Sequence, residues 1–221
     1  MPHLIKIPAA SVEYQARFAR PCIGFIGTDR PRAAEAIVDA LLPFNFQLAN
    51  SESASLGNLA AHKVSFKLPE RGISLYFSAE EYRFSKDGAN WETAEEDGQV
   101  LVAAERALLD GSTARVALCT VNLGMHLQLL TTPREEVLAP FVPEPFRHFL
   151  VERKANTYGN HLKWATGDLL LDFSLLFANS IFVRFSAQFD GHPPVSEIMA
   201  AVRREQHTIF QILDVRERID G

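Results

Sequence analysis

Between Leu169 and Phe189 the chain reads LLLDFSLLFANSIFVRFSAQF, a run long enough to cross a bilayer but built with a period of two. Leu169, Leu171, Phe173, Leu175 and Phe177 share one side, and Ile181, Val183, Phe185, Ala187 and Phe189 continue it. The other side carries Asp172, Ser174, Arg184, Ser186 and Gln188, with Leu170, Leu176 and Phe182 among them. Alternate residues of a strand point to opposite faces, whereas a membrane helix would have to bury Asp172 and Arg184 in hydrocarbon. The apolar positions are odd-numbered on both arms, so antiparallel pairing needs a loop with an odd number of residues. Ala178-Asn179-Ser180 supplies one, and Asn accepts a positive φ. The stretch is predicted to be a β-hairpin with one buried face.

The same period recurs from Ala117 to Leu129, where Cys119, Val121, Leu123, Met125, Leu127 and Leu129 face one way. Val12 to Phe18 alternates too, in a strand that can run on towards Ile26, as do Val64-Phe66-Leu68 and Ile73-Leu75-Phe77. EYRFSKDGANW is predicted to be a hairpin turning at Asp87-Gly88, and Asn50 to Asn58 a polar loop. Helical spacing follows Asp29-x-Pro31, with Ala34, Ile37, Val38, Leu41 and Leu42 as the apolar stripe. Thr93-x-x-Glu96 and Thr132-Pro133-Arg134-Glu135 are predicted capping boxes, the first opening a helix to about Leu109. An extended stretch covers Tyr158 to Trp164. A last helix from about Val195 buries Ile198, Val202, Ile209 and Leu213.

Each half thus reads strand, helix, strands, helix. Pro31-Arg32, Pro43-Phe44 and Asp87-Gly88 return at nearly one offset as Pro133-Arg134, Pro145-Phe146 and Asp190-Gly191. Internal duplication is the expectation, with halves at approximately 12–110 and 115–216 of a single domain over 1–221. The predicted class is α+β: a mainly antiparallel sheet with helices on one face. This order is similar to the repeated unit of the TATA-box-binding-protein-like folds, an analogy of fold that carries no function.

IGFIGTDRPRAAEAIVDALL, Ile23 to Leu42, begins as a dinucleotide-binding turn would. Counting from Gly27, however, the second and third glycine positions of G-x-G-x-x-G hold Asp29 and Arg32. Asp29 would set a carboxylate against phosphate, so Asp29 and Pro31 are read as helix-start signals. SKDGANW is similar to the Asp-box of β-propeller enzymes, but it is one residue short and occurs once. The seven histidines are scattered with no metal-ligand spacing, and no nucleophile elbow, P-loop or C-x-x-C occurs, so no metal or cofactor is expected.

In the central strand Thr120, Asn122, Gly124, His126 and Gln128 form a polar row opposite a wholly apolar one. Gly124 leaves a notch in that row. The ligand-binding candidates are Asn122, His126, Gln128 and Arg184, with Asp172 nearby on the hairpin; a solvated sheet face is the bland alternative. Leu170, Leu176 and Phe182, apolar on a polar face, are the interface candidates.

At 221 residues, 47% hydrophobic and 22% charged, the chain can bury a substantial core. A net charge of −5 argues against a nucleic-acid partner held through its phosphates. Two cysteines in apolar settings and no leader-like start point to a reducing cytoplasm.

The segments VEYQARF, VALCTVNLGMHLQL and SEIMAAVRREQHTIFQIL together resemble a sporadically distributed bacterial family of unknown function, over the whole chain. The resemblance falls on Arg17-Phe18, Val121-Asn122 and His207; the Arg expected shortly before the Asn is here Leu118 or Cys119. It implies no activity. The expected function is a non-catalytic binding or assembly module that uses a sheet face for a protein partner or for self-association. The alternatives are a small-ligand binder with a pocket between the sheet and the C-terminal helix, and an enzyme using His126 with a carboxylate such as Asp172.

Overall fold

The computed structural model describes residues 2–22, 30–54, 63–110, 114–147 and 159–218. In chain order the elements are β1 (His3–Phe18), α1 (Arg30–Leu41), β2 (Ser51–Ala54), β3 (Lys63–Leu68), β4 (Ile73–Ser78), β5 (Glu81–Asp87) and α2 (Ala94–Leu109). They continue as β6 (Val116–Leu129), α3 (Arg134–Leu138), β7 (Gly159–Trp164), β8 (Gly167–Phe173), β9 (Ser180–Asp190), α4 (Val195–Ile212) and β10 (Val215–Glu217). The class is α+β. The ten strands form a mainly antiparallel sheet of order β2-β3-β4-β5-β1-β6-β9-β8-β7, and β10 pairs parallel with β1. The element order follows the predicted one in outline but does not establish a duplication.

The chain divides into two compact units, one of Met1–Ala10, Asn122–Ala187 and Met199–Gly221, the other of Ser11–Val121 and Gln188–Ile198. In the first, Leu123, Met125, Leu127 and Leu129 of β6 are buried, with Leu169, Leu171 and Phe173 of β8 and Ile181, Val183 and Phe185 of β9. Helix α4 covers that face: Val202 and Ile209 are buried, and Gln206 donates to Met125 Sδ at 3.3 Å. A one-residue slip would turn all these apolar side chains outward, at about 1.5–3 kcal/mol each, so the alternation sets the register. In the second unit Tyr14, Ala16, Tyr82, Phe84, Leu75, Phe77, Val64 and Phe66 share the buried face of β1, β5, β4 and β3. Val100, Leu101, Ala104 and Leu108 of α2 are buried, as are Ile37 and Leu41 of α1.

Several local expectations are corrected. Asp87-Gly88 is not a hairpin: β4 and β5 turn before it, around Ala79-Glu80, and Gly88 ends β5 at φ +67°. The chain then enters α2, where Thr93 makes no capping bond; its hydroxyl donates to Asp97 at 2.9 Å. Nor does a capping box open α3, whose first amide, Arg134 N–H, donates to Asn179 Oδ1 at 2.9 Å. The strand from Val12 begins earlier, at His3, and ends at Phe18 rather than near Ile26. Part of the polar loop after Asn50 is strand β2, and Leu42 leaves the α1 stripe for a 3-10 turn at 54% exposure. Ile23 to Asp29, with the glycine turn, lies outside the described residues.

Candidate functional site

The first unit presents the half-exposed sheet face that the alternation predicts. Along β6 the even-numbered residues from Asn122 to Gln128 are all partly exposed between buried odd ones. Register places these residues among their neighbours. Leu129 donates to Asn179 O at 3.0 Å and, at the strand's other end, Gly191 donates to Ala117 O at 2.9 Å. Both bonds imply one antiparallel register, with Asn122 opposite Ser186, Gly124 opposite Arg184 and His126 opposite Phe182. The His126 and Phe182 ring centroids lie 5.0 Å apart. On β8, Leu170 pairs with Arg184 and Asp172 with Phe182, and on β7 His161 pairs with Leu170.

Asn122 and His126 therefore flank Gly124 along β6, Arg184 stands opposite Gly124 on β9, and Gln128 lies one row beyond His126. Arg184 reaches Asp168 Oδ1 at 3.6 Å, and His161 reaches the same oxygen at 3.5 Å. That oxygen has no hydrogen-bond partner among the described residues. Asp172 is not brought to His126; its Oδ1 accepts the Phe173 N–H at 2.7 Å. Instead His126 Nδ1 meets Ser174 Oγ at 2.8 Å, and its ring lies between Phe182 and Phe177, the latter 5.3 Å away. Burial lowers its pKa from the ordinary 6.5.

The hairpin loop is longer than predicted. Ser174 N–H bonds Ser180 O at 2.9 Å and closes the ladder, so the loop is Leu175–Asn179, still an odd count. The reason is local: Ser174 Oγ accepts the amides of Leu176 and Phe177, both at 3.2 Å, and diverts them from the sheet. Leu175, expected on the buried face, is instead 81% exposed, and Leu176, expected on the strand beside Leu170 and Phe182, is 73% exposed at the tip. Leu170 and Phe182 stay on the strands and are half-buried.

Asn179 holds the loop's other end. It takes φ +49°, and its amide nitrogen donates to Leu129 O at 2.9 Å and Thr132 O at 3.0 Å. Arg134 donates to Ser174 O at 3.3 Å and to Glu135 at 3.2 Å, and its guanidinium lies 4.1 Å from the centre of the Phe173 ring. Arg134, Glu135 and residues 174–179 line an open cleft of 530 Å³.

The second unit contains a polar cluster that sequence reasoning missed. Tyr82 OH donates to Glu105 Oε1, which also lies 3.2 Å from His192 Nε2. Tyr14 OH lies 3.3 Å from Tyr82 OH and 3.1 Å from Cys119 Sγ, and Cys119 donates to Gly191 O at 3.2 Å. The cluster ties β1, β5, α2 and β6 to the turn at Gly191-His192. Tyr14 and Tyr82 sit on predicted or alternating apolar positions, so nothing in the local pattern marks their hydroxyls; only a partner distant in sequence does. Burial, then the Glu105 charge, raises both phenols far above tyrosine's ordinary 10.0. The unfolded chain releases these protons near pH 10 while the folded chain holds them, so stability is intact below that pH and falls above it. The two phenols add about 2.7 kcal/mol per pH unit to the slope above that pH, and the Cys119 thiol, which burial also raises, adds in the same direction. Chemical denaturation between about pH 9 and about pH 11 measures it, and Tyr14→Phe is expected to remove about 1.4 kcal/mol per pH unit of it.

Among the described residues no three His, Cys, Asp or Glu side chains are grouped to hold a metal, and no helix is long and apolar enough to cross a membrane. No family model matches the chain, and no curated protein does. Among solved structures it is similar to a rolling circle replication initiator protein from Geobacillus stearothermophilus, at 8% identity over 95% of this chain and 79% of that one, with a TM-score of 0.28. It is also similar to the regulatory subunit of aspartate kinase from Thermus thermophilus in ligand-free form, at 15% identity over 94% and 96% of the two chains, with a TM-score of 0.19. At such scores neither likeness bears on what this chain does.

Proposed function

We propose that the protein is a non-catalytic assembly module that joins a second copy of itself through the loop and cleft of the first unit. One observation carries this reading: Leu175 and Leu176 are 81% and 73% exposed on a loop tied down by Ser174 and Asn179. Holding two leucines in water on an ordered loop forgoes about 1.5–3 kcal/mol of burial apiece, which contact with another molecule recovers. The occupant is argued from the shape and charge of the surface. A two-fold interface needs one patch that complements itself. Here two exposed leucines form part of the wall of the cleft, beside one cation, Arg134, paired with one anion, Glu135.

Sedimentation equilibrium at micromolar concentration tests it. The wild type is expected to be a dimer, and Leu175→Ser/Leu176→Ser to weaken dimerisation about thirtyfold. Both positions are exposed, so the variant's folding stability is expected to stay within about 0.5 kcal/mol of wild type. A monomeric wild type sinks the dimer. A second reading, a small-ligand site, is favoured by the register that sets Arg184 opposite Gly124, with Asn122 and His126 on either side. A monomer that retains a bound small molecule in native mass spectrometry would support it.

A further inference from the structure

We propose that His126 gates the loop carrying Leu175 and Leu176, and that a second proton on its imidazole releases the turn holding them. This concerns the regulation of the docking loop and rests on that reading of it.

The hydrogen-bond inventory of Ser174 carries the argument. Its Oγ already accepts two amides, Leu176 N–H and Phe177 N–H. A hydroxyl oxygen offers two lone pairs and one proton, so that proton goes to His126 Nδ1, 2.8 Å away. The imidazole is then neutral, with its hydrogen on Nε2. Protonating Nδ1 turns this acceptor into a donor, and three N–H groups then face one oxygen. One must be given up, and the two amides are the bonds that shape the loop.

The charges around the ring add to this. Arg134 donates to Ser174 O, bringing a positive charge to the same turn, with Glu135 as its partner. On β1, the bonds Leu130 N–H to Leu4 O and Ala19 N–H to Arg115 O imply an antiparallel register that sets Lys6 opposite Gln128, one row from His126. Asp172 lies across Phe182 on β8 and is engaged by the Phe173 amide. From β9 and the loop the ring meets Phe182 and Phe177, which carry no charge. Among the described residues no carboxylate touches the imidazole to hold a second proton. Burial keeps the folded His126 below its ordinary 6.5, so an opened loop, with the ring in water, takes the proton first. By linkage the closed turn is fully present above 6.5 and is lost as pH falls through the lower, folded value.

Amide hydrogen exchange of residues 174–179 tests the gate, read as protection factors corrected for the intrinsic effect of pH. Wild-type protection of Leu176 and Phe177 is expected to fall about tenfold between about pH 7.5 and about pH 5. His126→Gln, which keeps an acceptor for the Ser174 hydroxyl but does not titrate, is expected to stay flat. The wild-type fall must also lie between 6.5 and the lower pH at which His126 titrates by NMR, a check that needs no variant. Constant wild-type protection, an equal fall in His126→Gln, or a fall outside that window each overturns the proposal. Exchange reports on the loop whether or not a second copy binds. The dimer itself is judged at about pH 7.5, where His126 is neutral, so failure of either idea is seen separately.

Discussion

Gly167→Ala is expected to be the most damaging small substitution in the first unit. A Cβ built at this position falls 2.3 Å from the Ser186 carbonyl oxygen and 2.9 Å from the Trp164 ring. The oxygen is backbone and cannot step aside, because Gly167 and Asp168 pair with Ala187 and Ser186 in the β8–β9 ladder. The ring is held as well, stacked on Phe185 at 6.2 Å. A forced backbone shift next to an overpacked ring costs about 3 kcal/mol or more, which lowers the melting temperature of a chain this size by about 6–12 °C. Gly159→Ala is the control: its added Cβ meets no atom of the described residues within 4 Å, so a change within about 0.5 kcal/mol is expected. Scanning calorimetry of the two variants decides, and equal melting temperatures would show that the strands accommodate a methyl group at Gly167 without strain.

The second large effect belongs to Glu105. Its side chain is 8% exposed and serves both Tyr82 and His192 through one oxygen. Glu105→Ala leaves the fully buried Tyr82 hydroxyl without its charged acceptor and opens a small void under α2. The unmade bonds and the void together cost about 3–4 kcal/mol. Glu105→Gln keeps a carbonyl for the tyrosine and loses only the charge, so about 1–2 kcal/mol is expected. Urea denaturation gives both values. Were Ala and Gln to cost the same, charge rather than the bond to Tyr82 would be what matters. Tyr82→Phe on the Glu105→Ala background should then cost little more, since the interaction it removes is already gone.

Much of this molecule follows from alternation alone. Every odd residue of β6 from Cys119 to Leu129 is buried because a strand has period two and one face has somewhere apolar to go. The hairpin of β8 and β9 pairs odd with odd for the same reason, and Asn179 takes the positive φ assigned to it. The helix stripes of α2 and α4 were legible from their 3.6-residue spacing, as Val100, Leu101, Ala104 and Leu108 illustrate. That Asn122, Gly124 and His126 share one partly exposed row of β6 was legible in the same way, whereas the register that sets Arg184 opposite Gly124 was not.

Alternation could not say where a strand stops. Leu175 and Phe177 continue the pattern perfectly, but Ser174 takes two amides out of the ladder and turns Leu175 into a loop residue at 81% exposure. Side-chain competition for backbone amides leaves no mark on hydrophobic periodicity. The partners of the polar groups were equally hidden. His126 finds Ser174 rather than Asp172, and Glu105 finds Tyr82 and His192, because residues 48, 23 and 87 positions apart meet only when the elements pack. The sequence by itself determined which face of each long strand and helix is buried and that the arms of the β8–β9 hairpin pair odd with odd, since both follow from the free energy of burying apolar side chains at a fixed period. Only the tertiary structure decided which hydroxyl, imidazole or carboxylate satisfies which other, because a hydrogen bond depends on angstrom-scale placement that the order of residue types along the chain does not encode.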